Sequence, residues 1–353
     1  MHTYNDFSFN FASTFLENRA RETVCVSPVS LLLPLAAVAS ASEGGTRGEF
    51  AEVLGNSAHD PQQLLYEMHE ICDTLNACSA VRELTNTIIG AKDHAFLPVF
   101  TGNMHRAFGN KIGMKQGQSD SILLTNITHF KEDWVTRFAE RKERFYKTPH
   151  GVEEHGEIIP FLYYDEEALG YTKNESYQSV TVPFRAQQSN MPACYMTFAM
   201  PFNCPIDEVL TSPEKIKEML RCQLERSERK IELHLPAFSL EKEYELNSDL
   251  IQMGLKQAFQ KAGAAFPYMV LTKPDENVYM ESVSQEIKVD VTAQGAEARA
   301  ITIITMGIYT TSMPITLPPA SKEILHFDHP FLFTIWMKTP CGDALPLFIG
   351  AKR

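Results

Sequence analysis

Two patterns of period two follow one another near the C-terminal end of the 353-residue chain, and they restrict the fold more than any other feature. Asn277–Thr292 (NVYMESVSQEIKVDVT) alternates polar and apolar residues, the pattern of a strand half-buried in a sheet. Past Gly295 the alternation continues with small residues on one side. Ala296, Ala298, Ala300 and Thr302 alternate with Glu297, Arg299, Ile301 and Ile303, and Ile304 and Met306 extend the uncharged side. As a strand, this segment has one face suited to a narrow, dry space and one bulky, charged face. A chain with so many helix formers has no local reason to space them this way, so the reason lies in what the segment must fit.

The first third reads as helical. Phe7, Phe9, Phe11 and Phe15 supply an apolar face, and Ser27-Pro28 starts a helix that Gly44-Gly45 is expected to end. Asp60-Pro61 opens another, with Leu64, Leu65, Met68 and Ile71 at helical spacing. The rest reads mostly as strands: Ser121–Phe130, Tyr177–Arg185, Met191–Pro201 and Arg229–Leu240. Amphipathic helices are expected at Ser212–Leu224 and Asn247–Phe259, and Pro330–Lys338 with LPLFIG form a terminal hairpin. No repeat or linker divides the chain, so residues 1–353 are expected to form one domain. Between the long strand and the hairpin lies a Thr-, Pro- and Ile-rich stretch of the kind that is usually functional when it is this long.

Charge and motifs exclude several functions. A net charge of −12 argues against nucleic acid and anionic membrane as partners. The apolar run Ser30–Ala41 is too short to span a bilayer. The N-terminus lacks a signal peptide, so a cytoplasmic protein is expected, or an extracellular one whose leader has been removed. Seven scattered cysteines without a CxxC pair point to free thiols rather than a disulfide framework or a zinc motif. Gly44–Gly48 lacks the spacing of a phosphate loop, His150-Gly-Val-Glu-Glu-His155 misses a metalloprotease spacing by one residue, and no G-x-S-x-G occurs. The chain is therefore expected not to be an enzyme and to need neither metal nor cofactor.

Five separated segments resemble the serpin family, in the family's order. VCVSPVSLLLPLAAVASASEGGTRGEFAEVLG is similar to its "ISPxS" helix and the stretch that follows. LTNITHFKEDWVTRF matches a strand motif through Asn126, Phe130, Lys131, Trp134 and Phe138. IELHLPAFSLEKEYELNSDLIQMGLKQAF, SVSQEIKVDVTAQGAEARA and HPFLFTIW with PLFIGAKR supply the other three. The resemblance implies an α+β fold with three β-sheets, about eight or nine helices and an exposed reactive-centre loop at about residues 295–320. It implies a suicide mechanism. A protease cuts the loop, forms an acyl-enzyme, and is dragged and distorted as the freed loop enters the main sheet as a new strand. The inserting hinge is Gly295, Ala296, Glu297, Ala298, Arg299, Ala300, Ile301 and Thr302. A polar shutter and breach cluster under the sheet comprises Ser27, Ser30, Asn126, Trp134 and Gln285. The partner is a target protease, the chain is expected to be a monomer, and loop–sheet polymers are a hazard.

Spacing from the hinge glycine puts the bait bond at Tyr309–Thr310, which favours a chymotrypsin-like protease. An alternative alignment of PITLPP puts it at Ile315–Thr316, which favours an elastase-like one. Four departures leave a non-inhibitory serpin-fold binding or chaperone-like protein as the alternative. Ala293 stands where the family has a latching Glu, Gln285 where it has a shutter His, and Ala296 where it has Thr or Ser. Between residues 108 and 121 the chain is shorter than the family. The missing part is expected to include the helix that crosses the main sheet and an edge strand, leaving an apolar patch uncovered.

Overall fold

The N-terminal helix buries Phe7, Phe11 and Phe15 because residues four apart share one helix face, and consecutive rings stand 5.9 and 6.0 Å apart. A computed structural model describes residues 2–78, 80–148, 156–165, 169–185, 192–225, 229–272, 276–296, 322–339 and 344–353. In chain order the elements are α1 (His2–Glu17), β1 (Val24–Val26), α2 (Pro28–Ser40), α3 (Gly44–Leu54), α4 (Pro61–Asn76), β2 (Val81–Gly90), α5 (Pro98–Phe108), β3 (Ile112–Gln116), β4 (Ile122–Phe130), β5 (Glu132–Asp133), β6 (Ala139–Phe145), β7 (Glu157–Asp165) and β8 (Gly170–Lys173). They continue with β9 (Tyr177–Pro183), β10 (Cys194–Pro201), α6 (Ile206–Leu210), α7 (Pro213–Met219), β11 (Ile231–Pro236), β12 (Phe238–Glu245), α8 (Asn247–Met253), β13 (Met280–Val291), β14 (Gly295–Ala296), β15 (Glu323–His326), β16 (Phe331–Lys338) and β17 (Ala344–Lys352).

These strands form three sheets. One runs β1-β17-β16-β10-β9-β8, and a smaller one runs β15-β11-β7-β6. The largest runs β3-β2-β4-β13, with β12 on the far side of β13 and β14 and β5 at its upper end. β16 and β17 pair antiparallel as the expected C-terminal hairpin and are buried on both faces. Helix α2 is apolar all round and buried from Pro28 to Ala39, so it packs inside the molecule, against β17 on one side and β2 and β4 on the other. Its first turn thereby lies under the seven-stranded sheet.

Some local expectations need correction. Gly44-Gly45 does not end α2, which stops at Ser40; Gly44 opens α3, with a φ of 58° that its missing Cβ permits. Asp60 does cap α4, its carboxylate accepting the Gln62 and Gln63 amides at 2.9 and 3.4 Å. The single alternating stretch Arg229–Leu240 divides at Ala237 into β11 and β12, which join different sheets. The edge strand expected to be missing is present as β3, paired parallel with β2. No helix follows it: residues 117–121 run directly into β4.

The outer face of that sheet is largely polar, with partly buried Ile89, Leu123 and Ile127 among its polar side chains, rather than a wholly apolar patch. Among the described residues, none of the large exposed apolar side chains lies on β2, β4, β12 or β13. Their solvent side carries Thr85, Thr87, Thr125, Ser284, Glu286 and Glu243, with a His129–Glu83 pair at 3.2 Å and Lys288–Glu241 at 2.5 Å. A mixed sheet with one wet face needs this alternation, and threonine supplies strand propensity without apolar exposure.

Candidate functional site

The seam between β4 and β13 is the centre of the site. These two strands pair parallel from Met280 opposite Ile122 to Lys288 opposite His129, while the outer neighbours β2 and β12 pair antiparallel to them. A strand entering this seam would exchange one parallel ladder, the less stable kind per residue, for two antiparallel ones. The inward side chains along the seam are Leu124, Asn126, Thr128 and Phe130 on β4 and Val283, Gln285, Ile287, Val289 and Val291 on β13, all buried.

Four of the five residues expected in the polar cluster meet at the middle of this seam. Asn126 and Gln285 stand opposite each other, and Gln285 Nε2 donates to Asn126 Oδ1 at 2.7 Å. The same nitrogen faces Ser30 Oγ and the Ser27 carbonyl, both at 3.0 Å, while Gln285 Oε1 accepts the Ser27 amide at 2.9 Å. Ser30 Oγ donates to Asn126 Oδ1 at 2.7 Å, and Asn126 Nδ2 donates to the Ser30 carbonyl at 3.0 Å. Asn86 and Thr128, absent from the sequence-based set, complete the network: Asn86 Oδ1 accepts from Asn126 Nδ2 and Thr128 Oγ1 donates to Ser30 Oγ at 2.8 Å. Their signal was available, because a polar residue at an inward strand position needs a partner. The network holds no charge, so it fastens α2 to the seam without an ionic desolvation cost.

Trp134 lies apart from this cluster, at the upper end of the sheet. It stacks on Phe184 at 4.4 Å and 9°, and its Nε1 donates to the Thr292 carbonyl at 2.8 Å. Its backbone amide donates to the Gln294 carbonyl and that of Phe138 to the Ala293 carbonyl, at 2.8 and 2.9 Å. Ala293 is buried, so a glutamate in its place would put a carboxylate into an apolar contact. The Thr292 amide and hydroxyl both reach the Gly295 carbonyl at 2.9 Å, closing a tight turn after β13.

The chain leaves that turn as β14, which pairs antiparallel with β13 through Val291–Ala296 and antiparallel with β5 through Gly295–Asp133 and Ala296–Glu132. It is thus a two-residue wedge at the mouth of the seam. Only glycine fits at its first position, where a Cβ would stand 2.1 Å from the Glu132 carbonyl oxygen. Of the hinge residues, Gly295 and Ala296 are therefore in the sheet. Glu297, Ala298, Arg299, Ala300, Ile301 and Thr302, and the bait candidates Tyr309, Thr310, Ile315 and Thr316, lie outside the described residues. The chain re-enters at Lys322, whose ammonium bridges Asp165 at 2.5 Å and Glu232 at 2.7 Å. Hydrogen bonds from this ammonium hold both carboxylates below their ordinary range, and Asp165 and Glu232 push its own pKa up.

The described cysteines Cys25, Cys72, Cys78, Cys194, Cys204 and Cys222 are free thiols. Cys78 and Cys194 touch, Sγ to Sγ at 3.4 Å, and this hydrogen bond draws the Cys78 thiol down against its burial while pushing Cys194 up.

Comparison with known proteins places this architecture. The family described as "Serpin (serine protease inhibitor)" matches residues 2–121 and 114–352. Human leukocyte elastase inhibitor is 24% identical over 378 residues, covering 93% of each chain. Among solved structures, the thermophilic serpin tengpin in its native state superimposes with a TM-score of 0.77 at 18% identity, over 99% of this chain and 93% of that one. Human thyroxine-binding globulin, solved in complex with thyroxine, also gives 0.77, at 16% identity over 99% and 96%. No helix among the described residues is long and apolar enough to cross a membrane.

Proposed function

The chain belongs to the serpin family of serine protease inhibitors, and from that premise we propose that it inhibits its target as a suicide substrate, by inserting its cut loop into the β4–β13 seam. It is consumed in the act and is not a catalyst. The observation that carries this reading is β14, a strand start already antiparallel to both walls of the seam. Continuing that register would put Ala298 between Val289 and Phe130, Ala300 between Ile287 and Thr128, and Thr302 between Gln285 and Asn126. Every inward-facing hinge residue is then uncharged, and Glu297, Arg299 and Ile301 face the solvent side beside Asp290, Lys288 and Glu286. The Thr302 hydroxyl would arrive where insertion breaks the Gln285–Asn126 hydrogen bond. Each net ladder bond contributes roughly 0.5–1.5 kcal/mol, so about a dozen supply on the order of 10 kcal/mol, comparable to a domain's whole stability.

The bait bond in this reading is Tyr309–Thr310, and the target a chymotrypsin-like protease. The name of the human relative favours the alternative, Ile315–Thr316 with an elastase-like protease. An intracellular target suits the six free thiols among the described residues. The test is incubation with chymotrypsin-, elastase-, trypsin- and cathepsin-like proteases, with mass spectrometry locating the cut. A denaturant-resistant covalent complex supports the reading, as does a cut protein that melts well above the intact one. Cleavage without either overturns it. The second reading, a serpin-fold binding protein that does not inhibit, draws on Ala293 and on the missing helix between β3 and β4. It is the outcome if cleavage leaves the melting temperature unchanged.

A further inference from the structure

Among the described residues, one group of three histidine, cysteine or carboxylate side chains could hold a metal ion: Glu143 on β6, His234 on β11 and His326 on β15, with donor atoms within 4.8 Å of one another. Glu143 stands between the two imidazoles. Its oxygens lie 2.8 and 2.9 Å from His234 Nδ1, and Oε2 lies 2.9 Å from His326 Nε2. The rings are edge-to-face with centroids 4.9 Å apart. β11 and β15 pair directly, His234 opposite His326, and the end of β6 is drawn beside them because the Tyr146 amide donates to the Asp328 carbonyl at 2.7 Å.

A second, independent observation concerns the other nitrogen of each ring. His234 Nε2 meets Glu232 Oε1 at 3.0 Å, and His326 Nδ1 faces Asp328 Oδ2 at 3.6 Å. Metal-bound imidazoles characteristically give their remote N–H to a carboxylate, which sets the tautomer and raises ligand basicity. Here His234 Nε2 has such a partner, His326 Nδ1 has a carboxylate nearby but beyond hydrogen-bond distance, and the two nitrogens left over are the two that face Glu143. Glu232 is held in place on its other oxygen by Lys322 at 2.7 Å. The site is shallow, since the His326 side chain is 39% exposed and those of His234 and Glu143 are 13% and 18% exposed. An ion can therefore enter from solvent.

We propose that Glu143, His234 and His326 bind one divalent transition-metal ion, zinc by preference, with water completing four-coordination. Two imidazoles and a carboxylate are the donor set of open zinc sites. A tetrahedral ion with bonds of about 2.0–2.1 Å holds its donors about 3.3 Å apart, so the two Glu143–imidazole contacts open by about half an ångström, and the two imidazole nitrogens, now within 4.8 Å of each other, settle at the same spacing. The ion ties β15, the edge strand by which the chain returns from residues 297–321, to β11 and β6. The site itself stands without the inhibitory reading; its value as a clamp on the exit of the loop rests on that reading.

The experiment uses the full chain stripped by chelator and then titrated with zinc, with binding read by calorimetry and by melting temperature. One zinc per chain is expected, with a melting temperature that climbs with zinc concentration. Glu143→Gln and His326→Gln are each expected to weaken binding by about tenfold or more, and Glu232→Gln by about 10–100-fold through the ring it orients. Cobalt in place of zinc is expected to give a tetrahedral visible spectrum without sulfur-to-metal charge transfer. Hydrogen exchange at β15 is expected to slow with zinc in the wild type and not in His326→Gln. The proposal is overturned by an absence of saturable binding, by binding that these variants leave unchanged, or by a cobalt spectrum showing thiolate ligands. Each variant's melting temperature in chelator reports its folding, and the wild-type cobalt spectrum decides the question even if a variant fails to fold.

Discussion

Two polar clusters flank the segment between Ala296 and Lys322, and they are built on opposite principles. The cluster under the seam is neutral and dry: Ser30, Asn86, Asn126, Thr128 and Gln285 are all buried and hydrogen-bonded to one another across three strands and a helix. The cluster at the return strand is charged and partly wet, with Glu143, Glu232, Asp328 and Lys322 around two histidines. A neutral network can be taken apart and replaced by another neutral strand without exposing a buried charge. A charged cluster holds its strand only as firmly as the ion or proton it carries. On the proposed mechanism the entry end is suited to being opened once, and the exit end to being held adjustably.

The largest expected effect tests the neutrality of the seam. Ala298→Arg would bury a guanidinium facing Val289 and Phe130 during insertion, at a cost of several kcal/mol. The variant should be cut as a substrate without forming the covalent complex, as resolved on a denaturing gel. Unchanged inhibition would break the facing assignment. Next, Asn126→Ala removes the hub of the buried network and strands partners on β2, β13 and α2. It should cost about 3 kcal/mol in urea unfolding, several buried groups being left unpaired at about 1–3 kcal/mol each before relaxation.

A third change converts one kind of cluster into the other. Gln285→His places a titratable ring where burial opposes its charged form, so the folded pKa falls below the unfolded value of about 6.5. Between those two pKa values the unfolded chain binds a proton that the folded chain refuses. Stability relative to wild type should therefore be intact at pH 8 and fall as the pH drops through about 6.5, by about 1.4 kcal/mol for each unit of depression. Melting curves of both proteins at paired pH values would show it, and parallel curves would mean that the ring is solvated. The smallest effect is expected for His326→Gln in chelator, below about 1 kcal/mol as for other partly exposed ion pairs. If it costs as much as Asn126→Ala without metal, the contrast between the two clusters is wrong.

Much of the seam was legible in the chain. Asn126 and Gln285 sit at inward positions of alternating strands, and the uncharged series begins where the turn after Val291 ends. The polar outer face was equally readable from Thr85, Thr87 and Thr125, yet the missing helix suggested exposed apolar surface instead. The division of Arg229–Leu240 between two sheets had no local signal, because both halves alternate in the same way. Nor did any motif announce Glu143, His234 and His326, which lie far apart in the chain and meet only because the end of β6 returns to the β11–β15 edge.

What the sequence determined by itself is the character of many elements: which stretches are helical or extended, which face is apolar, and that the segment after Gly295 is small and uncharged on one side. Those properties follow from spacing along one stretch of chain. Which strands become neighbours was decided by tertiary structure, since pairing depends on how the whole chain closes around helix α2 and its core. Both the open mouth of the seam and the two-histidine cluster are consequences of that closure, and each joins side chains that no local pattern relates.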